Sequence, residues 1–184
     1  MEDKIETWKQ NKSKRIADCR VFKVREDFCE TEDGEKKGSF FVIENPDWVN
    51  IIALTEDKKV VLIEQFRHGI GQTTLEVPGG MVDKSEDLEL AARRELIEET
   101  GFSSDEWILL GKSRPNPAIQ NNWIYHFLAL NCEKTENVKF DEHESVMTKL
   151  FAVSEVKSLI LNNEIKHSLV IAAFYFFELY KYEN

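Results

Sequence analysis

The stretch Gly80-Met-Val-Asp-Lys-Ser-Glu86-Asp-Leu-Glu-Leu-Ala-Ala-Arg-Arg94-Glu95-Leu-Ile-Glu98-Glu99-Thr-Gly101-Phe102 decides the fold of this 184-residue chain. A helix is predicted from about Asp83 or Ser85 to Thr100, because either residue can cap a helix N-terminus. Gly101 stands where the end of a helix favours a left-handed residue. The sequence therefore predicts one helix with defined ends in this stretch.

The predicted helix carries an acidic face. At about 100° per residue, Glu95, Glu98 and Glu99 fall within one arc. Glu95 and Glu99 are in line with the small apolar residues expected to face the core, whereas Leu90 and Ile97 lie on the other side. The pattern predicts a helix that is covered on both faces.

Carboxylates that converge beside a core repel one another, and their burial is unfavourable without cations. Arg93 and Arg94 supply part of the positive charge, and a hard divalent metal would supply the rest. Ligand sets made only of oxygen favour Mg²⁺ or Mn²⁺. The alternative is a solvated acidic helix with charge pairs three and four residues apart.

The spacing in this stretch resembles the Nudix box. The matching positions are Gly80, Glu86, Arg94, Glu95, Leu96, Glu98, Glu99, Gly101 and Phe102. The resemblance implies an α/β (α+β) sandwich in which mixed β-sheets surround a loop–helix–loop. It also implies a hydrolase that cleaves a nucleoside diphosphate linked to another moiety.

The resemblance assigns roles to residues of the box. It implies that divalent metals are bound by three glutamates and a backbone carbonyl of the glycine pair, namely Glu95, Glu98, Glu99 and Gly79 or Gly80. Glu86 and Arg94 would hold the loop and the helix by ion pairing. In this family a metal neutralises phosphate charge and activates a water molecule.

The likeness extends beyond the box to the ADP-ribose pyrophosphatase branch. It rests on Glu64-Gln-Phe-Arg67, on Leu75-Glu-Val-Pro-Gly-Gly80, on Pro117 sixteen residues after Gly101, and on the acidic stretch Asp141-Glu142-His-Glu144. The resemblance implies that Glu142, with Glu144 as the second choice, acts on the attacking water. It implies that Arg67 contacts a substrate phosphate, the alternative being a surface ion pair.

Other candidate substrate residues have weaker signals. Trp48 suits stacking on a base, although a buried aromatic side chain is an equal alternative. Gln120, Asn121 and Asn122 offer donors and acceptors where the branch places the terminal sugar. They favour hydrolysis of several nucleoside diphosphate sugars as well as ADP-ribose.

The remaining sequence predicts two parts. Residues 1–45 are expected to form an N-terminal arm or short helix followed by a β-hairpin over residues 19–28 and 39–43, and to dimerise. Residues 46–184 are expected to form the Nudix domain. Further predicted strands cover 49–54, 60–63, 73–77, 107–110 and 123–130, and predicted C-terminal helices cover 153–161 and 167–181.

Composition and net charge limit the classes of partner and cellular location that we expect. Lys and Arg number 24 against 34 Asp and Glu, so the net charge of −10 disfavours nucleic-acid partners. We expect no membrane span, no secretory signal and no disulfide framework, and therefore a cytoplasmic protein. Two alternatives to a small-molecule hydrolase stay open: a non-catalytic Nudix-fold sensor of nucleotide sugars and an RNA 5′-end pyrophosphohydrolase.

Overall fold

The computed structural model describes residues 5–136 and 146–183. The chain divides into two compact units: Met1–Pro46 with Arg114–Asn122, and Asp47–Ser113 with Trp123–Asn184. The predicted boundary at residues 45 and 46 between an arm and a Nudix domain stays a prediction.

The first unit is built on a three-stranded antiparallel sheet. Its strands are β1 (Trp8–Asp18), β2 (Lys23–Thr31) and β3 (Lys37–Glu44). The 114–122 segment joins this unit through the Ile43 amide, which donates to the Ile119 carbonyl over 2.7 Å. The predicted hairpin corresponds to β2 and β3.

Strand β1 corrects the expectation of a short helix for the first residues. All but one of its eleven residues are exposed, and it pairs with β2 on one side. An edge strand rich in lysine needs no apolar alternation, because its backbone pairing holds it in place. Only Trp8, which packs edge-on against Phe40 at 5.2 Å between ring centroids, anchors it by an aromatic contact.

The second unit contains an eight-stranded mixed sheet. Its strands are β4 (Trp48–Thr55), β5 (Lys59–Arg67), β6 (Gln72–Glu76), β7 (Gly79–Met81), β8 (Phe102–Ser103), β9 (Glu106–Ser113), β10 (Ile124–Lys134) and β11 (Val146–Ala152). Strands β4 and β10 pair in parallel, and the other pairs are antiparallel. The short strands β7 and β8 and the later β11 were not predicted.

Helices cover both faces of this sheet. They are α1 (Leu88–Thr100), α2 (Val156–Leu161), which follows a 3-10 turn at Val153–Glu155, and α3 (Ser168–Glu183). Alternate residues of β4 enter two cores: Ile51 packs on the α1 side and Ile52 on the α2–α3 side. The predicted α/β sandwich is confirmed. None of the helices described is long and apolar enough to cross a membrane.

Helix α1 begins later than the sequence predicts. The carboxylate of Asp87 caps it by accepting from the amides of Glu89 and Leu90 at 2.9 and 3.2 Å. Asp83 lies in a turn in which its amide donates to the Glu86 carboxylate, and Ser85 has a left-handed φ of 70°, so neither residue stands at the start of the helix. These residues form a turn before the helix.

The outer face of α1 also differs from the prediction. Leu90 is 59% exposed, so the helix is not covered on both faces. One apolar side chain on a solvated face is ordinary for a globular protein. The end of the helix agrees with the sequence, because Gly101 adopts a left-handed φ of 71° there.

A histidine lies inside the core of the second unit. His126 is fully buried, stacks on Phe176 at 5.0 Å and shares a 3.0 Å hydrogen bond between its Nε2 and Ser113 Oγ. Its Nδ1 has no hydrogen-bond partner among the residues described. Burial lowers the pKa of His126 to about 4, so the ring is neutral in the folded protein at neutral pH.

We predict that His126 makes the protein less stable in acid. Its pKa of about 4 in the fold lies below the ordinary value near 6.5, so the unfolded chain binds the proton more readily. Stability present above pH 6.5 is therefore lost as the pH falls toward 4, by about 3 kcal/mol. Denaturant unfolding across this range should show a smaller loss for His126→Leu, whereas the control His68→Gln should follow wild type. Parallel curves for wild type and His126→Leu would contradict the prediction.

Candidate active site

The centre of the site is the contact between helix α1 and the short strand β7. The amide of Gly79 donates to Glu99 Oε2 over 2.9 Å. A Cβ atom at Gly80 would lie 2.5 Å from the carboxyl carbon of Glu95. Such a separation is below van der Waals contact, so a side chain at position 80 would require the Glu95 carboxylate to move away.

The three box glutamates differ in exposure. Glu99 is 7% exposed, and the side chain of Glu95 is 14% exposed. The side chain of Glu98 is 50% exposed. Two carboxylates thus face the glycine strand and one faces solvent, all within the same helical arc.

Arg94 joins these carboxylates to the loop before the helix. Its Nε and Nη2 each donate over 3.0 Å to Glu86, and Nη2 also reaches the Met81 carbonyl. Its Nη1 donates to Glu95 at 2.8 Å and to Glu98 at 3.1 Å. One guanidinium therefore neutralises much of the acidic face.

The pairing shifts both partners toward their charged forms. The hydrogen bonds from Arg94 hold the pKa of Glu86 below its usual range, against the opposing effect of burial. The same contact with Glu86, followed by those with Glu95 and Glu98, raises the pKa of Arg94. Both shifts favour the charged form of the pair.

Within residues 5–136 and 146–183, no three acidic, histidine or cysteine side chains form a ready-made metal cluster. Arg94 Nη1 instead lies against Glu95 and Glu98. The donor chemistry nevertheless fits a hard divalent cation, because it consists of carboxylate and backbone oxygens.

Arg67 forms an ion pair with Glu76, a partner that the sequence did not identify. Its Nε and Nη2 donate to the two oxygens of Glu76 at 2.9 and 2.7 Å. His167 also contacts Glu76, through Nδ1 at 3.0 Å. Sequence reasoning missed Glu76 and His167 as a pair. The available signal was a glutamate inside a strand that the sequence predicts to be buried. A buried carboxylate requires a partner.

The remaining candidates are divided between the two units. In the second, Trp48 is half-buried on β4 and pairs with Met81 of β7. In the first unit, Gln120 is half-buried, and its backbone amide donates to the backbone carbonyl of Asn116. Asn122 is 2% exposed, and neither polar atom of its side chain has a hydrogen-bond partner among the residues described.

Two predicted catalytic residues lie outside the described residues. Glu142 and Glu144 both fall in the 137–145 range. Their roles on the attacking water stay predictions.

Comparison with known proteins assigns the sequence to a family. The NUDIX domain model matches residues 45–174. The chain is 29% identical to the methanol dehydrogenase activator of Bacillus methanolicus, over 91% of each protein. It is 26% identical to the ADP-ribose pyrophosphatase of Bacillus subtilis, over 75% of each.

The fold has a close counterpart among solved structures. A crystal structure of an ADP compounds hydrolase superimposes with a TM-score of 0.85 at 19% identity, covering 96% of this chain and 95% of that one. The predicted Nudix fold is confirmed by this likeness. Because the family match spans the glycine pair and the whole of α1, the chain belongs to the NUDIX domain family, and its predicted class as a hydrolase is confirmed.

Proposed function

We propose that this chain hydrolyses the pyrophosphate bond of ADP-ribose or of nucleoside diphosphate sugars, giving a nucleoside monophosphate and a sugar phosphate. The observation that carries the proposal is the approach of Glu95 and Glu99 to the Gly79–Gly80 backbone. Relatives from Bacillus subtilis and Mycobacterium tuberculosis that bear the name ADP-ribose pyrophosphatase support this substrate class.

The proposed cofactor is Mg²⁺, with Mn²⁺ as the alternative. The residues that would hold it are Glu95, Glu98, Glu99 and the backbone carbonyl of Gly79 or Gly80. When bound, such an ion polarises phosphate oxygens and lowers the pKa of a bound water. Glu86 and Arg94 keep the loop in place beside the helix.

Four further residues and one acidic stretch are proposed to contact the substrate or the attacking water. Arg67 supplies a planar guanidinium suited to a phosphate, and Trp48 offers a face to the base. Gln120 and Asn122 lie in the segment assigned to the distal sugar. Glu142, with Glu144 second, is proposed to orient the attacking water.

The proposed compartment is the cytoplasm, and the proposed partner is a small molecule rather than a nucleic acid. Cys19, Cys29 and Cys132 are all free thiols, as is usual in a reducing compartment. A net charge of −10 disfavours a polyanionic chain as a partner.

We predict that Glu98→Gln and Glu99→Gln lower kcat/KM by about a hundredfold or more at fixed Mg²⁺, because each removes a charged ligand. The melting temperature without metal should be unchanged or slightly higher than that of wild type, since neutralising one carboxylate relieves repulsion on the acidic face. Calorimetric titration with Mg²⁺ should show weakened binding. Glu89→Gln is the matched control, because Glu89 lies on α1 but pairs with Arg93. Near-normal turnover by Glu99→Gln at modest Mg²⁺ would refute the metal assignment.

A substrate panel tests the proposed function. We predict hydrolysis of ADP-ribose, ADP-glucose, GDP-mannose and UDP-glucose with kcat/KM values within about a hundredfold, since one misplaced group usually changes binding by ~1–3 kcal/mol. A preference above roughly a thousandfold would show a selective sugar pocket instead. Binding without hydrolysis would favour the sensor, and faster cleavage of 5′-triphosphorylated RNA would favour the RNA-end hydrolase.

We also propose a homodimer formed through the first unit. On one face of its sheet, Phe28 of β2 and Phe41 of β3 are 38% and 56% exposed, and the two strands pair with each other. Exposed apolar clusters of this kind favour association. Sedimentation at micromolar concentration should give twice the 21.5 kDa chain mass, and Phe41→Glu should lower it. A wild-type monomer would contradict the proposal.

A further inference from the structure

A buried carboxylate outside the box gathers three side chains around itself. Glu76 is 2% exposed. Its Oε1 accepts from Arg67 Nε at 2.9 Å and from the Thr74 hydroxyl. Its Oε2 accepts from Arg67 Nη2 at 2.7 Å, and it lies 3.0 Å from His167 Nδ1. Both oxygens are therefore fully engaged.

The carboxylate is ionised in the fold. Burial alone would raise the pKa of Glu76, but the hydrogen bonds from Arg67, His167 and Thr74 and the charge of Arg67 hold it well below its usual range. A buried ion pair adds little stability compared with an apolar pair of similar volume. Stability is therefore a weak reason for placing this charge here.

The position of Glu76 links three parts of the second unit. Glu76 precedes Gly79 by three positions, so at most about 11 Å of chain joins the two. His167 immediately precedes α3, and its carbonyl accepts from the amides of Val170 and Ile171. Asn50 adds a second link, because its Nδ2 donates to the Leu169 carbonyl at 3.1 Å and its Oδ1 lies beside Gly79.

The geometry also fixes the orientation of Arg67. Bidentate pairing through Nε and Nη2 sets the plane of the guanidinium and places Nη1 on the opposite edge. The side chains of Arg67 and His167 are 43% and 37% exposed, whereas the side chain of Glu76 is 3% exposed. The carboxylate thus forms the buried floor of a cluster whose cationic member reaches the surface.

We propose that Glu76 is a positioning residue, which holds Arg67 in the orientation that receives the substrate diphosphate, and that His167 holds Glu76 from the side of α3. This inference rests on the proposed function. It assigns roles to two residues that neither the box nor its spacing includes. The substrate diphosphate would then be bound by Arg67 as well as by the metal proposed for helix α1.

The test separates substrate binding from folding. Glu76→Gln should raise KM for ADP-ribose about tenfold or more, because it removes the charged acceptor of a bidentate pair, while kcat stays within about threefold. The same substitution in an Arg67→Ala background should add no further rise, because the two residues act as one unit. Thr55→Val is the control for loss of a buried hydroxyl elsewhere; it should lower the melting temperature without changing KM.

Substitutions at His167 keep the test usable if Glu76→Gln does not fold. His167→Leu should raise KM about threefold or more, whereas His167→Asn, whose amide can replace the Nδ1 donor, should restore it. Unchanged KM in both Glu76→Gln and His167→Leu, beside an active wild type, would overturn this inference alone. Wild type without hydrolysis in the same assay would overturn the proposed function and this inference with it.

Discussion

The second unit depends on the close approach of an acidic helix to a glycine backbone. Glu99 accepts the Gly79 amide, and Glu95 lies where any side chain at Gly80 would stand. A helix carrying carboxylates toward a sheet is unfavourable unless those groups find donors. Here a backbone amide and one guanidinium provide them, so α1 can pack without giving up its acidic face.

Much of this arrangement could be predicted because it is local. Regular helix geometry fixes the arc shared by Glu95, Glu98 and Glu99, and Gly101 marks the end of the helix. The start was less certain, since Asp83, Ser85 and Asp87 all have side chains that can cap. The outcome depended on the turn that precedes the helix, in which Ser85 adopts a left-handed φ of 70°, and the sequence does not show that turn.

The features that sequence did not predict are those set by distant pairing. Strand β1 consists largely of exposed polar residues, and its strand conformation comes from backbone bonds to β2. Likewise, β7 is three residues long and exists because it pairs with β4. The contact between His167 and Glu76 spans 91 positions in the chain. No periodicity of side chains encodes such contacts.

Two arginines of the second unit are held in the same way, each by a bidentate contact with one carboxylate. Arg94 is fixed by Glu86 while its other edge faces Glu95 and Glu98. Arg67 is fixed by Glu76 through a matching bidentate contact. In each case one carboxylate holds the guanidinium in place and leaves its orientation independent of any ligand. The proposed site, which would accept a cation and a diphosphate, benefits from charges that are oriented before either ligand binds. The folded protein can keep an acidic helix face, because Arg94 Nη1 donates to both Glu95 and Glu98.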